Sequence, residues 1–133
     1  ENIRIVGDRF VFQSEVLFPV GGSDLDDAGR VEMDKLATAL LDLAKEIPAE
    51  INWVLRVDGH TDNSPLSGSG RYRDNWELSS ARATSVVKYL ISKGVPANRL
   101  VAAGFGEFQP IAPGDTPDAR NQNRRIELKL TER

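Results

Sequence analysis

The sequence predicts an α+β, two-layer sandwich of order βαβαββ. Its helices pack on one face of a mixed four-stranded sheet, and an N-terminal β-hairpin is added. Three observations predict it. Ile51, Trp53, Leu55 and Val57 alternate with Asn52, Val54, Arg56 and Asp58, and Ile126, Leu128 and Leu130 alternate with Glu127, Lys129 and Thr131. That is the period of strands with one apolar face. Met33, Leu36, Leu40, Leu43 and Ile47, then Leu78, Val86 and Leu90, recur at helical spacing. The two helical stretches are separated by strand-like ones, which suits helices covering one side of a sheet.

In chain order, Ile3 to Val6 and Arg9 to Phe12 flank Gly7-Asp8 and read as a short hairpin. Residues 13 to 20 read as irregular, with Pro19 biasing Phe18 away from helix. Asp24, Asp26 and Asp27 offer caps for the first helix, which Pro48 ends. A strand then runs into Asp58-Gly59-His60-Thr61-Asp62. A polar, glycine-rich loop spans 63 to 74, and the second helix runs from about Trp76 to Ser92, with Gly94 and Pro96 as stop signals. Residues 99 to 103 form a short strand leading to Gly104-Phe105-Gly106. Residues 109 to 123 form a loop with one helical turn near 118 to 122, ahead of the last strand.

The chain has 133 residues, 40% hydrophobic and 28% charged, which fits one domain over 1–133, with 1–15 as a hairpin extension. A chain of this size buries roughly two thirds of its unfolded surface. There is no cysteine, so thiolate metal sites and disulfides are excluded. A net charge of -3 argues against nucleic acid as the partner. No apolar run approaches the roughly 18 residues of a membrane span, and no signal peptide is visible. The absent initiator methionine marks the expected product as a mature or excised fragment.

Two charges carry the functional reading. Asp62 falls where a strand gives way to a loop. Arg82 lies on the apolar stripe Leu78, Arg82, Val86, Leu90 of the next helix, where it must be paired or face a cavity. Each has an ordinary explanation alone: a turn-capping aspartate and a snorkelling arginine. Together they fall at one end of the layer. An acid that accepts from an ammonium and a guanidinium fork that holds a carboxylate suit a zwitterion.

Other constellations are weaker. Asp58, His60 and Asp62 have a metal-like spacing and would share one face of an ideal strand, but the chain has a single histidine. No metal ligand set or cofactor is assigned, and His60 is expected to be a hydrogen-bonded structural residue. Ser64, Ser67, Ser69 and Ser79 lie in no nucleophile motif. Gly68-Ser69-Gly70 lacks the lysine of a phosphate loop. Trp76 is expected to pack at its helix start. Arg124, on the parity of Ile126, is expected to wall the same pocket as Asp62 and Arg82.

Four stretches in order resemble one known family. They are Gly59-His60-Thr61-Asp62-Asn63, Leu78-Ser79-Ser80-Ala81-Arg82-Ala83, Gly104-Phe105-Gly106-Glu107 with Pro110, and Asn121-Gln122-Asn123-Arg124-Arg125-Ile126-Glu127. The chain resembles the OmpA-like, peptidoglycan-associated domains. Asn75-Trp76-Glu77-Leu78-Ser79 after a lengthened loop is most similar to the MotB-type flagellar stator version. The resemblance implies a non-enzymatic domain of the periplasm or cell envelope of a Gram-negative bacterium. It implies non-covalent binding of the diaminopimelate of the peptidoglycan stem peptide, gripped by Asp62 and Arg82. Asp62, Arg82, Thr61, Leu78, Asn75, Phe18 and Arg124 form the expected binding set. The parent protein is expected to be membrane-anchored, and a homodimer is allowed. The alternatives are an envelope assembly or dimerisation module without wall binding, and a metal-dependent wall hydrolase.

Overall fold

A computed structural model describes residues 3–6, 9–66 and 70–133, with side chains from residue 9 onward. Strands β1 (Ile3–Val6) and β2 (Arg9–Gln13) pair antiparallel as the expected hairpin, while its turn, Gly7-Asp8, lies outside the described residues. Helix α1 (Ser14–Leu17) follows, then α2 (Asp27–Ala44), β3 (Trp53–His60), α3 (Asn75–Ser92), β4 (Leu100–Gly104), α4 (Pro117–Asn123) and β5 (Arg125–Glu132). The sheet order is β1-β2-β5-β3-β4. Among the described residues only β3 and β4 run parallel, joined by the α3 crossover that a parallel pair requires. The expected four-stranded sheet is thus β2-β5-β3-β4, and β1 extends its edge.

Local chemistry explains the element ends. Asp26 caps α2 by accepting from Gly29 N at 2.7 Å, and Asp74 caps α3 by accepting from Glu77 N at 2.9 Å. Thr116 caps α4, with Pro117 at its first turn. Residues 14 to 17, expected to be irregular, form α1 instead, one turn closed by Phe18 N donating to Ser14 O at 2.8 Å. Four residues are too short for a periodic apolar signal. Tertiary contacts fix the turn: Ser14 N donates to Arg124 O, and Asp26 N donates to Leu17 O.

The core lies between the helices and one face of the sheet. Phe12, Leu55, Val57, Ile126 and Leu128 from the strands meet Met33, Ala37, Leu40, Ala83, Val86 and Leu90 from α2 and α3. Helix α3 sits unusually close to the sheet because Gly59 and Gly104, register partners on β3 and β4, present no side chain to it. A Cβ on Gly59 would lie 2.1 Å from Ser79 O, and one on Gly104 would lie 2.1 Å from Ser80 Oγ. This close approach brings Arg82, one turn beyond Ser79, to the level of Asp62, three residues beyond Gly59. Among the described residues no helix is long and apolar enough to cross a membrane.

Candidate functional site

At the end of the core where β3 stops, the fold leaves an open cavity of about 330 Å³. Phe18, Thr61, Asp62, Asn75, Leu78, Arg82 and Arg124, all expected from the sequence, line it together. Glu15, Pro19, Ser64 and Leu66 complete much of the wall.

Each side chain has an identifiable holder. Thr61 N donates to Gly106 O at 2.9 Å, and Thr61 Oγ1 donates to Asp62 O at 2.8 Å. Ser79 Oγ accepts from Gly106 N at 3.0 Å, so the Gly104-Phe105-Gly106 turn is tied to both β3 and α3. Asn75, buried at the start of α3, donates to Ser64 O at 3.1 Å and to Glu107 Oε1 at 3.3 Å. It thereby braces the loop after Asp62.

Arg82 is 6% exposed. Its Nε donates to Gly22 O at 2.8 Å, and its guanidinium lies 5.2 Å from the centre of the Phe18 ring. Burial lowers its pKa; Glu15 pulls it up and Arg124 pushes it down. Arg82 is thus the buried arginine facing a cavity that the helical stripe demanded. Asp62 accepts from Ser64 N at 2.9 Å through Oδ1, a local turn bond. Its other oxygen, Oδ2, accepts from Arg124 Nη1 at 2.6 Å. Arg124 Nε in turn donates to Glu15 Oε1 at 2.5 Å. Burial alone would push Arg124 down, but these bonds to Glu15 and Asp62 hold it above its ordinary value.

Glu15 is the charged cavity residue that sequence reasoning missed. It lies in the short α1 turn, 109 positions from its partner Arg124. Pro65 and Leu66, from the lengthened loop, also enter the cavity wall. The tip of that loop, Ser67-Gly68-Ser69, lies outside the described residues. Its far side is tied back by a hydrogen bond between Tyr72 and Ser23.

The metal-like triplet does not assemble as spaced. Strand β3 ends at His60, so Asp62 turns toward the cavity while Asp58 and His60 stay on the outer face of the sheet. There Glu127 of β5 takes the third place, and ligand atoms of Asp58, His60 and Glu127 lie within 4.8 Å of one another. These carboxylates are already committed. Arg56 holds Asp58 through Nε and Nη2 at 2.9–3.0 Å, and Arg125 Nε donates to Glu127 Oε2 at 2.6 Å, with Arg9 at 3.4 Å. Three guanidinium groups beside two carboxylates disfavour a further cation. His60 also departs from expectation: neither ring nitrogen has a hydrogen-bond partner among the described residues. It stacks on Phe105 at 4.9 Å instead, and burial, then Arg125, lower its pKa from 6.5 to about 4. Trp76 packs at the start of α3 by stacking on Phe108, at 5.1 Å between rings, while 51% exposed. Ser79 acts as a tie between elements: its Oγ accepts from Gly106 N and donates to Trp76 O at 3.2 Å.

Comparison with known proteins agrees with this architecture. The pattern of the family described as OmpA family matches residues 17–124. "Uncharacterized protein YtxE" of Bacillus subtilis (strain 168) is 37% identical over 125 residues, covering 93% of this chain and 48% of that protein. The chain spans about half the length of the curated relatives it matches. A solved structure of a putative MotB like protein from Desulfovibrio vulgaris superposes with a TM-score of 0.87 at 30% identity, covering 98% of this chain and 82% of that one. The cell wall anchor of the T6SS from Pseudomonas aeruginosa superposes with a TM-score of 0.79 at 28% identity, covering 98% and 87%. With its family pattern running from the end of α1 to the start of β5, the chain belongs to the OmpA family.

Proposed function

We propose that this domain anchors its parent protein to the cell wall by binding peptidoglycan non-covalently, without catalysis. The recognised group is the free amino-acid centre of diaminopimelate in the stem peptide. The observation that carries the reading is the placement of Asp62 and Arg82 on one cavity, with Phe18 and Leu78 as apolar walls. Arg82 offers its remaining guanidinium N–H groups to a carboxylate, and Asp62 accepts from an ammonium. Thr61 and Asn75 set the backbone around Asp62. The likeness to the cell wall anchor of the Pseudomonas T6SS supports the same class of partner. We place the domain in the cell envelope, on the periplasmic side in a Gram-negative bacterium, on a membrane-anchored parent.

Selectivity follows from the charge pair. A stem peptide with lysine in place of diaminopimelate keeps the ammonium and lacks the second carboxylate. It leaves the buried Arg82 fork unpaired, which is what makes such sites discriminate. Titration with two stem peptides differing only at that residue should show the diaminopimelate form binding tenfold to over a hundredfold tighter, the worth of a charge-assisted contact of about 1.5–3 kcal/mol. Equal affinity would sink the mechanism.

A further inference from the structure

We propose that Arg124 is a built-in competitor of the ligand's ammonium, and that Glu15 is the residue that lets it yield. The inference rests on the reading of the cavity above and assigns how the site selects. Asp62 is not open on its Oδ2 side: Arg124 Nη1 donates to that oxygen at 2.6 Å. An incoming ammonium must therefore exchange with a guanidinium. The same guanidinium is held through Nε by Glu15 at 2.5 Å. Arg124 consequently has a second acid on which to remain once Asp62 is taken.

The geometry makes this exchange local. Ser14 N donates to Arg124 O at 3.0 Å, so α1 and the start of β5 are fixed to each other at the cavity edge. Arg124 and Glu15 side chains are 33% and 41% exposed, whereas that of Asp62 is 11% exposed. The more exposed partners are at the rim and the deeper acid is inside. Asp62 and Glu15 against Arg82 and Arg124 make the walls neutral overall, which matches a zwitterion. A ligand carrying only an ammonium would displace Arg124 and gain nothing from Arg82. A ligand carrying only a carboxylate would leave the Asp62–Arg124 pair closed. The exchange thus penalises half-ligands.

The test is a double-mutant cycle read by calorimetric titration with the diaminopimelate stem peptide, each variant checked for folding by circular dichroism. Glu15→Gln strands Arg124 on Asp62 and should weaken binding roughly fivefold, the worth of one half-exposed ion pair. Arg124→Gln removes the competitor and should strengthen binding by a similar factor. In the Arg124→Gln background, Glu15→Gln should change affinity by less than about twofold, since it has no guanidinium left to hold. Weakening by Arg124→Gln on the scale of Asp62→Ala would make Arg124 a direct ligand contact and overturn the proposal, as would a Glu15→Gln effect independent of Arg124. A wild-type domain that binds sacculi while Glu15→Gln is neutral would sink the exchange and leave the anchor reading standing. A wild-type domain that binds no stem peptide would overturn both.

Discussion

Replacing Arg82 by methionine removes the guanidinium and keeps most of the side-chain stem. Two contacts among the described residues are lost. One is the Nε bond to Gly22 O, of a charged type worth about 1.5–3 kcal/mol. The other is the stack over Phe18, worth about 0.5–1 kcal/mol. Against them stands the relief of burying a charge, visible in the lowering of Arg82's pKa by burial. Gly22 is only half-buried, so water can replace the lost donor. The net change in stability should therefore be no more than about 1–2 kcal/mol, a shift of a few degrees in melting temperature for a chain of this size. Binding has no such compensation, because the ligand carboxylate loses its cationic partner. Affinity for sacculi and stem peptide should fall tenfold to over a hundredfold. Asp62→Ala removes the opposite half and should fall in the same range. The measurement pairs thermal melting with sacculus co-sedimentation. A folded Arg82→Met domain that co-sediments like wild type would place the site elsewhere.

The outer-face cluster yields two further tests. Chelator treatment should change neither melting temperature nor sacculus binding, because Asp58 and Glu127 are held by Arg56 and Arg125; a chelator-dependent drop in either would assign the cluster to a metal. His60 titrates near 6.5 when unfolded and at about 4 when folded, beside Arg125, Glu127, Arg9 and Arg56. Above pH 6.5 it is neutral in both states, and as pH falls toward 4 only the unfolded chain takes the proton. Stability should fall across that window by roughly 3 kcal/mol at about 1.4 kcal/mol per unit. His60→Phe, which keeps a ring against Phe105, should lose correspondingly less between pH 7 and 4.5 in denaturant titrations; an equal loss would assign the acid sensitivity to other groups.

How much of this was legible in the sequence depended on the range of the signal. Apolar alternation placed β3 and β5, and helical spacing placed α2 and α3, because each pattern is local and repeated. Asp62 and Arg82 were legible for the same reason: a strand end and a helical stripe fix where two charges point. Glu15 was not, since α1 is a single turn held by bonds to residues far along the chain. The exchange of Asp62 for Glu127 in the outer-face cluster was hidden by one fact, that β3 stops at His60. Spacing alone continues the strand and puts all three side chains on one face. Pro48 also misled slightly: α2 ends at Ala44, ahead of the proline, with Lys45 as its last cap.

Arg124 and Arg125 show why adjacent, identical residues must be read separately. The chain passes from the α4 cap into β5 between them, and successive strand side chains point to opposite faces. Arg125 goes to the outer face, is 2% exposed, and divides its fork among Glu127, Asn123 O at 2.9 Å and Gln109 O at 2.7 Å. Those bonds pin the loop that precedes α4, together with Asn123, which accepts from Ile111 N and Ala112 N. A lysine could not span three acceptors in one plane. Arg124 goes the other way, to the rim of the cavity, where Glu15 and Asp62 hold it on two sides and Nη2 donates to Asn121 Oδ1 at 3.4 Å. One arginine is fixed by backbone carbonyls and a buried acid, so it has no alternative position. The other is shared between two acids of different depth, so its preference can be shifted by a third charge. The tandem pair thus separates a part that holds the fold from a part that can move when a ligand arrives, and β5 is the element that divides them.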